Sequence, residues 1–218
     1  MNRIYAIGDI HGYYNSLKEL IENKIQFGKG DKLIFLGDYI DRGPDSKSVV
    51  DFILSLQNRD LDIVTLMGNH ESMLLDVYNN KAGIYKWIMN GGSETLKSFN
   101  IDSLEKIEHI YINFFNNLKP YYALDDYLFV HAGFNDSIEN PFSDNYSMLW
   151  QCKKKYLHPL LKDRTIIHGH VPVSIAVTQK QITNNSKIIN VDGGKAYPDS
   201  HLGKLIACEV NTRTIFIA

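Results

Sequence analysis

The sequence predicts an α/β sandwich of two mixed β-sheets flanked by helices, with a helical insertion. Three observations predict it. Eight short apolar, β-branched runs occur, at 4–7, 33–36, 63–67, 127–130, 165–167, 188–191, 205–210 and 214–217. Their near-continuous hydrophobicity is that of strands buried on both faces. The first three alternate with helical patterns, the arrangement of right-handed βαβ units. The later runs sit close together between turn residues such as Asn184-Asn185 and Asn211-Thr212, which predicts a second, meander-like sheet.

The helices follow from spacing. Over 14–23, Leu17, Leu20 and Ile21 share one face. Over 46–56, Val49, Val50, Ile53 and Leu54 do the same, with Asp45 or Ser46 available as N-cap. Between about 71 and 120 the strand signal disappears, and 73–78, 84–89 and 104–118 read as helices. Ile107, Ile110, Tyr111, Phe114, Phe115 and Leu118 form a stripe on the last, which predicts core packing. No Pro/Gly/Ser-rich linker borders this stretch. It therefore reads as an insertion in one domain spanning 1–218 rather than as a separate unit.

Composition removes several functions. The net charge is −2, and Lys153-Lys154-Lys155 is the only basic run, so a nucleic-acid partner is not expected. No apolar run approaches the roughly 20 residues of a membrane span. Met1-Asn2-Arg3 leads straight into a strand, leaving no room for a secretion signal. The two cysteines, Cys152 and Cys208, show no ligand spacing and suit a reducing cytoplasm.

The chemistry lies at the strand ends. Ile7 runs into Gly8-Asp9-Ile10-His11-Gly12, and Leu36 into Gly37-Asp38-Tyr39-Ile40-Asp41-Arg42-Gly43. Met67 runs into Gly68-Asn69-His70-Glu71, Val130 into His131-Ala132-Gly133, and Ile167 into His168-Gly169-His170. A single Gly-Asp after a strand is ordinary turn chemistry. Five strand ends delivering Asp, His or Asn to one sheet edge, where α/β proteins bind ligands, are not. A mixed Asp, His and Asn set without thiolate suits Mn²⁺, Fe²⁺ or Zn²⁺. It exceeds what one tetrahedral ion needs, which points to two metals sharing a carboxylate. Such pairs, about 3.5–4 Å apart, activate a bridging hydroxide and clamp a phosphoryl group, so phosphoester hydrolysis is expected.

These blocks closely resemble the calcineurin-like metallophosphoesterases, in their phosphoprotein-phosphatase branch: GDxHG, GDxxDRG, GNHE, HAG and a late GH occur in that order. Asn190-Val191-Asp192-Gly193-Gly194 is similar to the family's tail element, and Asn90-Gly91-Gly92 with Thr95-Leu96 to an element of bacterial members. The resemblance implies Asp9, His11 and Asp38 at the first metal. It implies Asp38, Asn69, His131 and His170 at the second, with Mn²⁺ the expected ion and Fe or Zn alternatives. It implies His70 as general acid oriented by Asp41, and Arg42 as the clamp on a phosphate oxygen. Glu71 would support the helix N-terminus behind His70, and His168 would serve either packing or the His170 loop.

Two departures stand out. Met67 and Cys152 occupy positions where the family usually carries phosphate-binding arginines, and Lys153 is a candidate substitute. The aromatic insertion from Trp87 to Phe115 is then the expected source of further substrate contacts. The implied activity is a metal-dependent phosphomonoesterase of the bacterial serine/threonine type, acting on a phosphorylated protein or a small phosphoester or nucleotide. The alternative is a dinucleoside tetraphosphate hydrolase, disfavoured by Asp41 and Glu71 where symmetrical hydrolases typically read ARG and GNHD. A non-catalytic metal-binding scaffold is a further alternative, disfavoured because no ligand is lost.

Overall fold

A computed structural model describes residues 3–59, 61–197, 199 and 201–218. Met1 and Asn2, on which the reading of the N-terminus rests, lie outside the described residues. Strands β1 (Ile4–Ile7), β2 (Lys32–Phe35) and β3 (Asp62–Thr65) pair in parallel, as the βαβ reading requires. Helix α1 (Tyr14–Lys18), continued by a π-helical turn over Glu19–Lys24, and α2 (Ser46–Gln57) make the crossovers. Asp45 caps α2 by accepting from Ser48 N at 3.2 Å.

The second sheet differs from the predicted meander. Its order is β4 (Tyr121–Leu124), β5 (Tyr127–Val130), β6 (Thr165–His168) and β7 (Ile188–Asn190), and β5, β6 and β7 are parallel. Strand β4 was not expected, because its partly exposed Tyr-Tyr-Ala-Leu carries no β-branched residue. The closing hairpin of β8 (Ile206–Glu209) and β9 (Thr214–Ile217) joins the first sheet instead, with β8 antiparallel to β1. A turn signal fixes a hairpin but not the edge on which it lands. The Glu209 carboxylate closes that turn by accepting from Asn211 N and Thr212 N.

Alternation along each strand builds the layers. Ala6, Ile34, Leu36 and Val64 of the first sheet meet Phe129, Ile167 and Ile189 of the second in a core between the sheets. Tyr5, Ile7, Leu33 and Phe35 face the other way, against Leu17, Val49 and Ile53 of the helices. Leu128, Val130 and Ile166 pack under Phe134 and Met148, the latter on α7 (Asn145–Trp150). Helix α8 (Ile175–Thr183) docks through Thr178, whose hydroxyl donates to Asn190 O at 2.9 Å.

The helical stretch comprises α3 (Asn69–Tyr78), α4 (Ile84–Trp87), a π-helical turn over Ile88–Gly92, α5 (Ser93–Ser98), a 3-10 turn over Leu104–Lys106 and α6 (His109–Asn116). The predicted helix over 104–118 is thus broken, because Ile107 is extended. That break turns Ile110 outward, 55% exposed, while Ile107, Tyr111, Phe114, Phe115 and Leu118 enter the core as expected. Trp87 and Phe115 are fully buried and cannot supply the substrate contacts expected of them. Among the described residues no helix is long and apolar enough to cross a membrane.

The core between the sheets carries a direct stability test. Phe129→Ala should cost about 3–5 kcal/mol, since Phe129 is fully buried between two rigid layers. Asp45→Ala should cost only about 1 kcal/mol, the worth of one N-cap. Urea unfolding followed by circular dichroism should return that order; equal losses would contradict the layer assignment.

Candidate active site

The five strand-end loops converge, as the sequence predicts. His11 follows β1, Asp38 to Arg42 follow β2, and Asn69 and His70 open α3 after β3. His131 follows β5, and His170 follows β6. Two donor groups form with Asp38 common to both: His11, Asp38 and His70, and Asp38, His131 and His170, each within 4.8 Å. Asp9 is buried beside them, its Oδ1 accepting from His170 N at 3.1 Å.

Backbone carbonyls fix the rings. His11 Nδ1 donates to Ile40 O at 2.9 Å and His131 Nδ1 to Leu36 O at 3.0 Å. A carbonyl can only accept, so each ring carries its proton on Nδ1 and presents the Nε2 lone pair inward. Burial holds both rings well below the usual histidine pKa, and hence neutral. His11 Nε2 lies 3.5 Å from Asp38 Oδ2. His131 Nε2 lies 3.5 Å from Asp38 Oδ1 and 2.9 Å from Asn69 Oδ1, which is also 3.0 Å from His170 Nδ1. The His131 Nε2 lone pair thus faces the acceptor oxygens of Asn69 and Asp38, an arrangement that a cation completes.

The carboxylates agree. Burial, then Asp192 and Asp38, raise Asp9 well above the usual range; burial and then Glu71 do the same to Asp38. A divalent ion would relieve both penalties, so these residues fit the metal pair that the donor set implies. Asp192 belongs to this acidic group, buried and held by Gly194 N at 2.8 Å. Its place within the tail motif was visible in the sequence, but its closeness to Asp9 was not.

The loops reach these positions through strained backbone. His11, Asp38, Asp41, Arg42 and His170 all have positive φ, between 48° and 70°. Gly68 makes the β3 loop possible, because a Cβ there would stand 2.2 Å from Asp38 Oδ1. Glu71 does more than support its helix. Its carboxylate accepts from Gly68 N at 3.1 Å, Asp38 N at 2.9 Å, Tyr39 N at 2.8 Å and Ile40 N at 3.2 Å.

Behind the donor groups, His70 Nδ1 meets Asp41 Oδ2 at 2.7 Å. Asp41 also accepts from Trp87 Nε1 at 2.9 Å and Thr95 Oγ1 at 2.6 Å. Burial pushes Asp41 up to about 7, while these donors and Arg42 pull it back. His70 Nε2 is buried without a partner among the described residues. Arg42 Nη1 donates to His11 Nε2 at 2.9 Å, and its guanidinium lies over the Tyr197 ring.

Lys153 does not face the site, since its ammonium pairs with Asp136. Cys152 Sγ points at Ala132 O, and burial pushes its thiol up to about 12. His168 joins neither donor group; its Nδ1 bonds Gly169 O at 3.0 Å, so it braces the loop that carries His170. The edge of Trp150 meets the His170 ring, with Tyr146 stacked on Trp150 and Lys86 above it.

Residues 2–202 match the calcineurin-like phosphoesterase family. Over 131 residues the chain is 32% identical to the symmetrical bis(5'-nucleosyl)-tetraphosphatase of Nitrosospira multiformis, covering 60% of this chain and 43% of that protein. Over 113 residues it is 35% identical to serine/threonine-protein phosphatase 2 of Escherichia coli, covering 49% of each. The matched stretches thus span less than half of these curated relatives. A protein serine/threonine phosphatase from Saccharomyces cerevisiae superposes over 100% of this chain and 79% of its own, with a TM-score of 0.66 at 18% identity, which is a likeness of fold. With the family pattern extending over nearly the whole chain and the two donor groups assembled at its strand ends, the chain belongs to the calcineurin-like phosphoesterases.

Proposed function

We propose that this chain is a dinuclear-metal phosphomonoesterase of the serine/threonine-phosphatase type. In this reading Asp9, His11 and Asp38 hold one ion and Asp38, Asn69, His131 and His170 the other, with Mn²⁺ the preferred metal. The metals supply Lewis acidity, lowering the pKa of a water and neutralising charge on the phosphoryl oxygens. Arg42 orients a phosphate oxygen through its planar fork. Both cysteines are free thiols, which supports a cytoplasmic setting.

The observation that carries the reading is the buried His70–Asp41 contact, with Nε2 left unpartnered. Burial and the charge of Arg42 keep His70 neutral at rest. The ring would take at Nε2 the proton that the attacking water gives up and pass it to the leaving oxygen as the P–O bond breaks, while Asp41 offsets the transient positive charge. A serine or threonine alkoxide is a strongly basic leaving group and needs that proton. A nucleoside polyphosphate leaving group hardly needs it, so a braced acid favours alkyl monoesters.

A second reading, a dinucleoside tetraphosphate hydrolase, draws support from the aromatic surfaces beside the site. The Tyr146–Trp150 stack and the Arg42–Tyr197 pair offer flat faces to a nucleobase. With Mn²⁺, a panel of phosphopeptide, aryl phosphate, mononucleotide and diadenosine tetraphosphate separates the two.

Removing metal with a chelator should abolish hydrolysis, and Mn²⁺ should restore it best. Full activity in metal-free protein would sink the dinuclear reading. His70→Asn should retain both metals yet lower kcat on a phosphopeptide by roughly 10²–10⁴, with a smaller loss on an aryl phosphate. Parallel losses on the two would remove the acid role. Cys152→Arg should lower KM on small monoesters about tenfold or more, the worth of a charge-assisted hydrogen bond of about 1.5–3 kcal/mol. An unchanged KM, with metal content intact, would show that position 152 does not address the phosphate.

A further inference from the structure

We propose that Trp87 and Thr95, both on the helical insertion, are positioning residues that hold Asp41 and through it set the direction of the His70 ring. The inference rests on the phosphoesterase reading above. It goes beyond that reading by giving the insertion a task in the reaction.

Asp41 follows β2, and its carboxylate meets His70, which opens α3 after β3. The remaining donors come from the insertion. Trp87 Nε1 reaches both oxygens, at 2.9 Å to Oδ2 and 3.1 Å to Oδ1. Thr95 Oγ1 donates to Oδ1 at 2.6 Å and accepts from Asp41 N at 2.9 Å, so one hydroxyl fixes both ends of the residue. Ser46 Oγ completes the ring, 3.2 Å from Asp41 N and from Thr95 Oγ1. Indole N–H can only donate, and Thr95 is committed in both directions, so the carboxylate has one acceptor position aimed at His70 Nδ1. All four side chains are buried, where a directed hydrogen bond gains most and a lost one costs most.

The insertion is also docked close enough to act. Gly91 O accepts from Arg42 N at 3.2 Å. Gly91 itself has φ of 103°, and a Cβ there would lie 2.6 Å from Arg42 N. Ser98 Oγ accepts from Lys47 N at 2.9 Å, in the first turn of α2. The insertion thus grips the catalytic loop from Asp41 to Lys47 rather than lying over it. Rotation of the Asp41 carboxylate would swing His70 Nε2 off the leaving oxygen, and a misplacement of about 1 Å can cost on the order of 10²-fold.

Trp87→Phe keeps the ring and removes the N–H, Thr95→Val keeps the shape and removes the hydroxyl, and Thr95→Ser restores it. Each is compared with wild type in the full chain loaded with Mn²⁺. On a phosphoserine peptide, kcat should fall roughly ten- to a hundredfold in Trp87→Phe and Thr95→Val, with KM within twofold. On 4-nitrophenyl phosphate the fall should stay within about threefold, and Thr95→Ser should recover most of the loss. Equal losses on both esters, or no loss on either, would overturn the proposal.

A second readout needs no turnover. In ¹⁵N-histidine-labelled protein without metal, the His70 Nδ1–H proton resonance should shift in both variants and return towards wild type in Thr95→Ser. An unmoved resonance would overturn the proposal even if activity changed. If the wild type hydrolyses no phosphoester, the functional reading fails, and the resonance alone decides whether Trp87 and Thr95 position the pair. Should Trp87→Phe not fold, the two Thr95 variants carry both measurements.

Discussion

The four backbone N–H groups gathered by the Glu71 carboxylate are the contact on which the site depends. They come from two loops, after β2 and after β3, which His70 also ties through its backbone N–H to Asp38 Oδ1 and its ring to Asp41. Without them those N–H groups would be buried and unpaired, at about 1–3 kcal/mol each. The carboxylate is fully enclosed, and burial pushes it up to about 7 against the pull of those donors. The arrangement decides where Asp38 sits, because Asp38 N is one of the four. It also decides where His70 sits, since Glu71 is the next residue on the same helical turn. An aspartate would fall one methylene short of spanning both loops.

Held in this way, the loops tolerate backbone that they would otherwise leave. Five non-glycine residues of the site lie in the left-handed region, a conformation that costs about 1–3 kcal/mol per residue. Rigid strands pay that cost: Ile7, Phe35, Val130 and Ile167 immediately precede or lie near the turns and are wholly buried. Two further penalties remain, the His131 Nε2 lone pair facing the Asn69 and Asp38 oxygens and the crowded carboxylates of Asp9, Asp38 and Asp192. A cation removes both at once, so the folded chain is built around a charge that it does not itself contain.

The convergence of the candidate donors was legible because each follows a strand, and a strand end is where sequence and space coincide. Asp9, His11, Asp38, Asn69, His131 and His170 need only the order of elements to be brought together. What the sequence hid are contacts between parts that order does not relate. Trp87 and Thr95 lie roughly fifty residues beyond Asp41, and an aromatic helix reads equally well as substrate surface or as brace. Lys153 looked free because Asp136, its partner, stands in a different loop. The β8–β9 hairpin looked like part of a second meander, since local turn chemistry does not specify the strand beside which a hairpin lies. The break at Ile107 went unseen for a similar reason, as its apolar spacing continues straight across it.

The charge around the phosphate position bears on what kind of binding the site can give. Met67 packs against the core and borders a cavity of about 210 Å³ with Leu118, Pro120 and Leu149, so that corner is largely apolar. The Cys152 thiol is protonated and turned to a carbonyl. On the proposed reading, Arg42 and the metals are left as the anion's main holders, with Lys86 farther out above Trp150. An arginine clamp grips substrate and transition state about equally, and uniform binding of that kind lowers KM without raising kcat. On the same reading the braced His70–Asp41 pair acts only as the leaving bond breaks. On that reading the site holds the groups that act on the barrier more firmly than those that act on capture. Capture then falls to surfaces around the metals, where the exposed Tyr146 beside Trp150 offers contact to the rest of a substrate larger than the phosphate alone.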